Sequence, residues 1–222
     1  MGDPPNTEGF EGSGLACQRG ERLVFAGLDF RLAPSGALVL RGPNGSGKSS
    51  LLRLMAGLIR PAAGRLAWNG VDALDDRESH GGRLHFIGHL DAVKPALTVG
   101  ENLGFWTRLR GAVANAARIE AALARVGLER LADVPARYLS AGQRRRLALS
   151  RLIATPAALW LLDEPSTGLD DDSLAALESM LAAHRAAGGM VALATHTAIA
   201  LPGGQELRLD GFTRGPALDE IA

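Results

Sequence analysis

Gly42-Pro43-Asn44-Gly45-Ser46-Gly47-Lys48-Ser49 is the stretch on which the fold turns. Its spacing, G-x-x-x-x-G-K-S, is a phosphate-binding loop pattern that has meaning only between a strand and a helix. That context is present. Upstream, 37–40 is an apolar run of strand length; downstream, Leu51, Leu52, Leu54, Met55 and Leu58 recur at helical spacing. Gly42, Gly45 and Gly47 allow backbone conformations that a Cβ would forbid. Consecutive N–H groups can then turn inward as an anion nest, and a helix starting at Lys48 adds its free N–H groups and its dipole. Lys48 supplies a mobile charge for the β- and γ-phosphates of a nucleotide, and Ser49 a hydroxyl for Mg²⁺.

Two further stretches carry chemistry. The apolar run 159–162 ends in Asp163 and Glu164. An Asp at the carboxyl end of a strand beside a phosphate loop is where Mg²⁺ needs a carboxylate. The adjacent Glu is placed to polarise a water that attacks the γ-phosphate. Leu139-Ser140-Ala141-Gly142-Gln143 precedes a helical run, 143–153. Ser140 is a good N-cap type, and Ser plus Gly at a helix N-terminus reads either as a cap alone or as a second anion site.

The 222 residues suffice for one domain with a large core, or one domain plus a lobe. Lys+Arg and Asp+Glu both number 24, and the zero net charge argues against nucleic acid as a partner. With one cysteine, Cys17, no internal disulfide can form, and a buried thiol in an early strand is expected. No apolar run reaches the roughly 18–20 residues of a membrane span. Residues 1–14 carry Asp3, Pro4, Pro5, Glu8 and Gly12 around no apolar core, so they read as a disordered tail and not a secretory signal. The chain is accordingly expected in the cytoplasm.

In order, short strands are expected at 15–17, 23–25 and 28–32, the last two around a turn at Ala26-Gly27. A strand at 65–68 closes on Asn69-Gly70, a strong hairpin signal. Residues 72–82 read as a polar loop. Strands follow at 84–87, 159–162, 191–194 and, as a terminal edge, 205–212, with a helix at 173–187. Between 91 and 155 the pattern is helical, so a lobe (91–155) is expected between core segments 15–90 and 156–222.

Taken together the motifs resemble the nucleotide-binding subunits of ATP-binding cassette (ABC) transporters, over residues 15–212. The stretch 42–49 resembles the Walker A loop. Residues 139–143 resemble the LSGGQ signature, with Ala141 for one glycine, and 159–164 the Walker B strand. Ser166-Thr167-Gly168-Leu169-Asp170 resembles the D-loop, and His196 the switch histidine. The resemblance implies an α/β fold: an ABC-type phosphate-loop domain with a mixed sheet core, an antiparallel β subdomain and a helical lobe. It implies an ATPase in which Gly42, Pro43, Asn44, Gly45, Ser46, Gly47, Lys48, Ser49 and Ser50 hold the phosphates of ATP. Ser49 and Asp163 would hold Mg²⁺, Glu164 would be the base, and His196 would sense the γ-phosphate. Two copies would pair head to tail, Ser140 and Gly142 of each closing on the other's ATP and Asp170 linking the two sites. Arg144, Arg145 and Arg146 read as structural or solvated.

Two departures stand out. The glutamine that the family places nine residues before Thr98 is His89, a group able to donate or accept a hydrogen bond. The aromatic that stacks on adenine would fall near 17–22, and none is there; Phe25 reads as core. The first departure matches a narrower resemblance. Ile87-Gly88-His89-Leu90-Asp91-Ala92-Val93-Lys94, continuing to Thr98, with Glu101-Asn102-Leu103 and Gly188-Gly189-Met190-Val191, is similar to the ATP-binding subunits of cytochrome c maturation (Ccm) heme exporters. In that family I-G-H-x-x-x-(I/V)-K replaces the glutamine motif. This implies a membrane permease subunit and other cytochrome c maturation proteins as partners, at the cytoplasmic face of the bacterial inner membrane. ATP hydrolysis would drive heme export or the release of a heme-loaded chaperone. His80, His85 and His184 read as solvent-exposed or capping residues and not as heme ligands. Three alternatives are weighed. The His89 stretch argues against an ABC subunit for another small substrate. One cassette and zero net charge argue against a soluble ABC ATPase acting on ribosomes or DNA. Intact Lys48, Asp163, Glu164 and His196 argue against a non-catalytic module.

Overall fold

A computed structural model describes residues 9–212. The chain runs β1 (Phe10–Arg19), β2 (Arg22–Leu32), β3 (Ala37–Arg41), α1 (Lys48–Met55), β4 (Ala63–Trp68), β5 (Val71–Asp72), α2 (Arg77–Gly82) and β6 (Leu84–Ile87). It continues through α3 (Val99–Leu109), α4 (Ala116–Ala124), α5 (Ala141–Ala154), β7 (Leu159–Asp163), α6 (Asp171–Ala186), β8 (Met190–Ala194) and β9 (Gln205–Arg208). Two sheets result: an antiparallel one in the order β2-β1-β4-β5, and a parallel one in the order β6-β7-β8-β3-β9.

The parallel sheet is covered on both faces, as its near-continuous apolar strands require. Strand periodicity sorts the side chains. Leu38, Leu40, Leu159, Leu161, Ala192 and Ala194 pack with α1 and the antiparallel sheet. Val39, Trp160, Leu162, Val191 and Leu193 face Leu103, Leu147, Leu177 and Leu181 of α3, α5 and α6. Burying each such side chain contributes about 1.5–3 kcal/mol. Because the strands are parallel, the chain leaves β3, β6, β7 and β8 at the same edge of the sheet, the edge where α/β sheets bind ligands. Asp163 pairs with Ala194, and Ala194 with Leu40, so the loops after these strands start level with one another.

Some local expectations change. The expected tail includes residues that are ordered: β1 begins at Phe10, whose ring is fully buried against Phe30 and Trp68. Residues 1–8, and the part of the expected core beyond 212, lie outside the described residues. The expected break at Ala26-Gly27 is a bulge within one continuous strand, Leu15 pairing with Leu28 and Cys17 with Phe25. The hairpin turn is at Gly20-Glu21 instead, with Gly20 at φ 58°. The expected loop 72–82 contains the short α2, started by Asp76 accepting from Ser79 N–H. The terminal strand is shorter than expected, since a 3-10 turn, Leu209–Phe212, follows β9. Asn69 and Gly70 both take positive φ (50° and 81°), as a two-residue hairpin of this kind demands. Cys17 is buried in β1, and burial raises its thiol pKa.

Candidate nucleotide site

The first four N–H groups of any α-helix lack partners within it, and side-chain caps normally satisfy some of them. Here α2 to α6 are capped by Asp76, Thr98, Asn115, Ser140 and Asp170. The start of α1 differs: Gly47 precedes it in the left-handed region at φ 102°, no side chain caps it, and no acid lies in its first turn. Its N–H groups are left for a ligand, and its dipole favours an anion. The loop is built for close approach. Gly42 sits at φ 141°, where a Cβ would come within 2.7 Å of Ser46 Oγ. Ser46 Oγ is itself buried without a hydrogen-bond partner among the described residues, a hydroxyl proton available to a ligand oxygen. Lys48 Nζ donates to Gly42 O at 2.7 Å and Pro43 O at 3.1 Å, so the ammonium lies within the loop.

Across the loop, Ser49 Oγ donates to Asp163 Oδ1 at 3.0 Å, although the residues are far apart in sequence. Asp163 is buried at the end of β7. A hydroxyl and a carboxylate side by side are the hard oxygen donors that Mg²⁺ takes, with nucleotide phosphate and water completing its shell. These residues therefore fit that ion. No cluster of three His, Cys, Asp or Glu side chains suited to a metal exists among the described residues. Glu164 stands at φ 50°, unusual for a residue with a side chain. His196 N–H donates to Glu164 Oε2 at 3.3 Å, and His196 Nε2 lies 3.5 Å from Glu164 Oε1.

A cavity of about 730 Å³ joins these groups, lined among others by Asn44, Gly45, Gly47, Lys48, Ser49, Ser50, His89, Asp163, Glu164 and His196. The remaining candidates stand outside it. Ser140 caps α5 in a reciprocal box with Gln143: its hydroxyl accepts from Gln143 N–H, while Gln143 Oε1 accepts from Ser140 N–H. Its own O–H stays available to donate. Gly142 lies so near the backbone of Gly168 that a Cβ would meet the carbonyl oxygen at 2.6 Å. Asp170 caps α6 through Ser173 N–H, and hydrogen bonding to the Ser173 hydroxyl and then to its N–H lowers the carboxyl pKa. Within one chain these three do not reach the phosphate loop cavity.

Sequence reasoning missed several groups. Arg145 is buried, and it donates to the carbonyls of Asp163, Glu164, Pro165 and Gly88 and to the Asp91 carboxylate. Asn102 is buried too; it bonds Lys94 at both main-chain groups and the Leu97 and Thr98 carbonyls, holding the segment that follows His89. Arg19, Arg22, Val24, Thr167 and Thr197 also line the cavity. The only signal for Arg145 was its place in the run Arg144-Arg145-Arg146, where nothing separates it from its half-buried neighbours, which hold the carbonyls of Leu139 and Val126. His80 and His85 are buried and His184 is half-buried, where solvent-exposed or capping residues were expected. Trp68 Nε1 donates to His80 Nδ1 at 2.9 Å, and His80 Nε2 therefore carries the proton toward Met55 O. His85 is buried on Thr155, and His184 stacks on Trp160 at 3.9 Å.

The uncapped start of α1 and the acids that face it make this chain a nucleotide-binding protein of the phosphate-loop class. The match to known proteins is more particular. Residues 25–167 match the ABC transporter family, and the chain belongs to it. A relative in Rhodospirillum rubrum, the cytochrome c biogenesis ATP-binding export protein CcmA, is 56% identical over 221 residues, covering 96% of this chain and 94% of the relative. The protein of that name in Paramagnetospirillum magneticum is 59% identical, covering 91% and 94%. Among solved structures, a putative ABC transporter ATP-binding protein of Pyrococcus furiosus superposes with a TM-score of 0.80 at 22% identity, over 91% of this chain and 98% of that one. The dimeric ATP-binding cassette MJ0796 bound to ADP and Pi gives 0.75 at 22%, over 85% and 88%. At that identity the two structures establish the shared fold.

Proposed function

We propose that the chain is the ATP-hydrolysing subunit of a transporter that acts in the biogenesis of c-type cytochromes, peripheral to the cytoplasmic face of the bacterial inner membrane. The relatives that share more than half its residues over nearly its whole length support the biological assignment. The observation that carries the chemistry is the convergence of Ser49–Asp163 and Glu164–His196 on one cavity at the start of α1. The loop N–H groups and Lys48 bind and orient the phosphates. Bound Mg²⁺, held by Ser49 and Asp163, would neutralise charge on the β- and γ-oxygens. Glu164 takes a proton from a water whose oxygen bonds to the γ-phosphorus as the bond to the β–γ bridging oxygen breaks, giving ADP and phosphate. His196 holds that carboxylate in place. Two copies pair head to tail, Ser140 and Gly142 of each closing on the other's ATP, with Asp170 near the junction.

Coupling to a membrane permease runs through His89. This residue lines the nucleotide cavity and also a second cavity of about 780 Å³, where exposed Leu58, Leu90 and Leu109 lie beside Arg53 and Arg110. The helical segment 91–155 is the lobe that moves. Cargo is heme or a heme-loaded chaperone, handled together with other cytochrome c maturation proteins. The test is Glu164→Gln, which is expected to keep ATP binding and to cut turnover by about 10²–10⁴, the size of a general-base contribution. Hydrolysis near the wild-type rate would remove Glu164 from this role.

A further inference from the structure

We infer that Arg19 and Arg22 form the nucleobase subsite, stacking a planar guanidinium on the purine where the family's aromatic is missing. The inference rests on the nucleotide reading above and adds the site of the base to it. The two arginines face each other as Cα partners across the Gly20-Glu21 turn, at the tip of the β1–β2 hairpin. Directly opposed residues in an antiparallel pair send their side chains to the same face. Both residues line the cavity that contains Lys48 and Ser49.

The hairpin is packed onto the phosphate loop: a Cβ on Gly47 would come within 2.7 Å of Val24 Cγ1. The cavity therefore has two unlike ends. Asp163, Glu164 and His196 hold one, where the terminal phosphate must react. The ribose and base of the same nucleotide must leave the loop on the other side, along the hairpin. Among the described residues no Phe, Tyr or Trp lines this cavity, and Phe25 of the hairpin is buried in the core.

The guanidiniums of Arg41, Arg145 and Arg151, by contrast, are each hydrogen-bonded to backbone carbonyls. No side-chain hydrogen bond or ion pair holds the guanidinium of Arg19 or Arg22 among the described residues. A guanidinium is planar, delocalised and weakly hydrated, so it stacks on an aromatic face better than an ammonium does. Such stacking reads the π-face that every base offers and not its edge.

The experiment is titration calorimetry of the whole chain with MgATP and with Mg-tripolyphosphate, which has the phosphates but no base. The ratio of the two affinities cancels the general loss of positive charge. Arg19→Ala/Arg22→Ala is expected to lower that ratio about tenfold, the scale of a partly desolvated cation–π contact for each side chain. Arg19→Ala/Arg22→Tyr, which puts an aromatic ring at the same tip, is expected to restore it. A ratio unchanged within twofold, with ATP still bound, would overturn the inference: the arginines would then be solvated, or would touch phosphate alone. Failure of the wild-type chain to bind either ligand would instead overturn the nucleotide reading, and the subsite with it.

Discussion

Glu164 shows what the site asks of a single residue. Holding a side-chain-bearing residue in the left-handed region costs about 1–3 kcal/mol. The strain is sustained because Glu164 N–H donates to Ala194 O at 2.9 Å while Arg145 donates to its carbonyl at 2.8 Å. The carboxylate is thereby turned toward His196 instead of continuing the line of β7. His85 makes a different point. Burial, with the nearby Arg110 as a smaller cause, lowers its pKa from 6.5 to about 3. The unfolded chain therefore binds a proton between those values that the folded chain refuses, so stability falls as pH drops through this window and is regained as pH rises. Between pH 7 and pH 5 the loss is about 2 kcal/mol. His85→Gln keeps a donor for Thr155 O and removes the titration. In urea denaturation at the two pH values, the wild type is expected to lose about 2 kcal/mol more than the variant, and equal losses would refute this. The burial of His80 and His85, and the half-burial of His184, were not legible in the sequence. Each is a lone polar residue without periodicity, and the partners of His80 and His85 (Trp68, Met55, Thr155) come close only when the chain folds.

At the scale of elements, the strands that build the site were the most legible part of the chain. The runs 159–162 and 191–194 are apolar throughout, as strands buried on both faces must be, and they end in polar residues at the edge where the loops gather. Less legible were elements where local signals conflict. Gly27 looks like a turn but marks a bulge in β2, and α2 is too short and polar for any helical period. Arg145 ties these elements into one device. From the second turn of α5 its guanidinium reaches the end of β7, the loop after it and the loop after β6, so the segments bearing Glu164 and His89 are held by one side chain. Removing one partner of a buried ion pair costs about 3–5 kcal/mol. Arg145→Ala is expected to destabilise the chain by that amount, and Arg145→Lys is expected to recover little, because an ammonium lacks the fork that spans five acceptors. A loss below about 1 kcal/mol in chemical denaturation would show that the network is not structural.

The whole molecule brings two cavities together at His89. One has the charges and hydroxyls of a nucleotide site; the other has exposed leucines beside arginines. We propose that this exposed apolar surface is an interaction site, since its contact with the nucleotide cavity through one residue suits a subunit that passes closure on to a partner. The phosphate loop, the Walker B acids and the histidine motif could be read along the chain because each is a contiguous stretch. The base-facing arginines and the Arg145 staple could not, because they are defined by what folds against them. On this reading, ATP hydrolysis by the chain drives the maturation of c-type cytochromes. The most direct measurement is a heme stain of membrane proteins from cells lacking the gene, complemented with wild type or Glu164→Gln. Loss of covalent cytochrome c heme on deletion, restored by the wild type alone, is the predicted result; heme bands that survive deletion, or that Glu164→Gln restores, would contradict it.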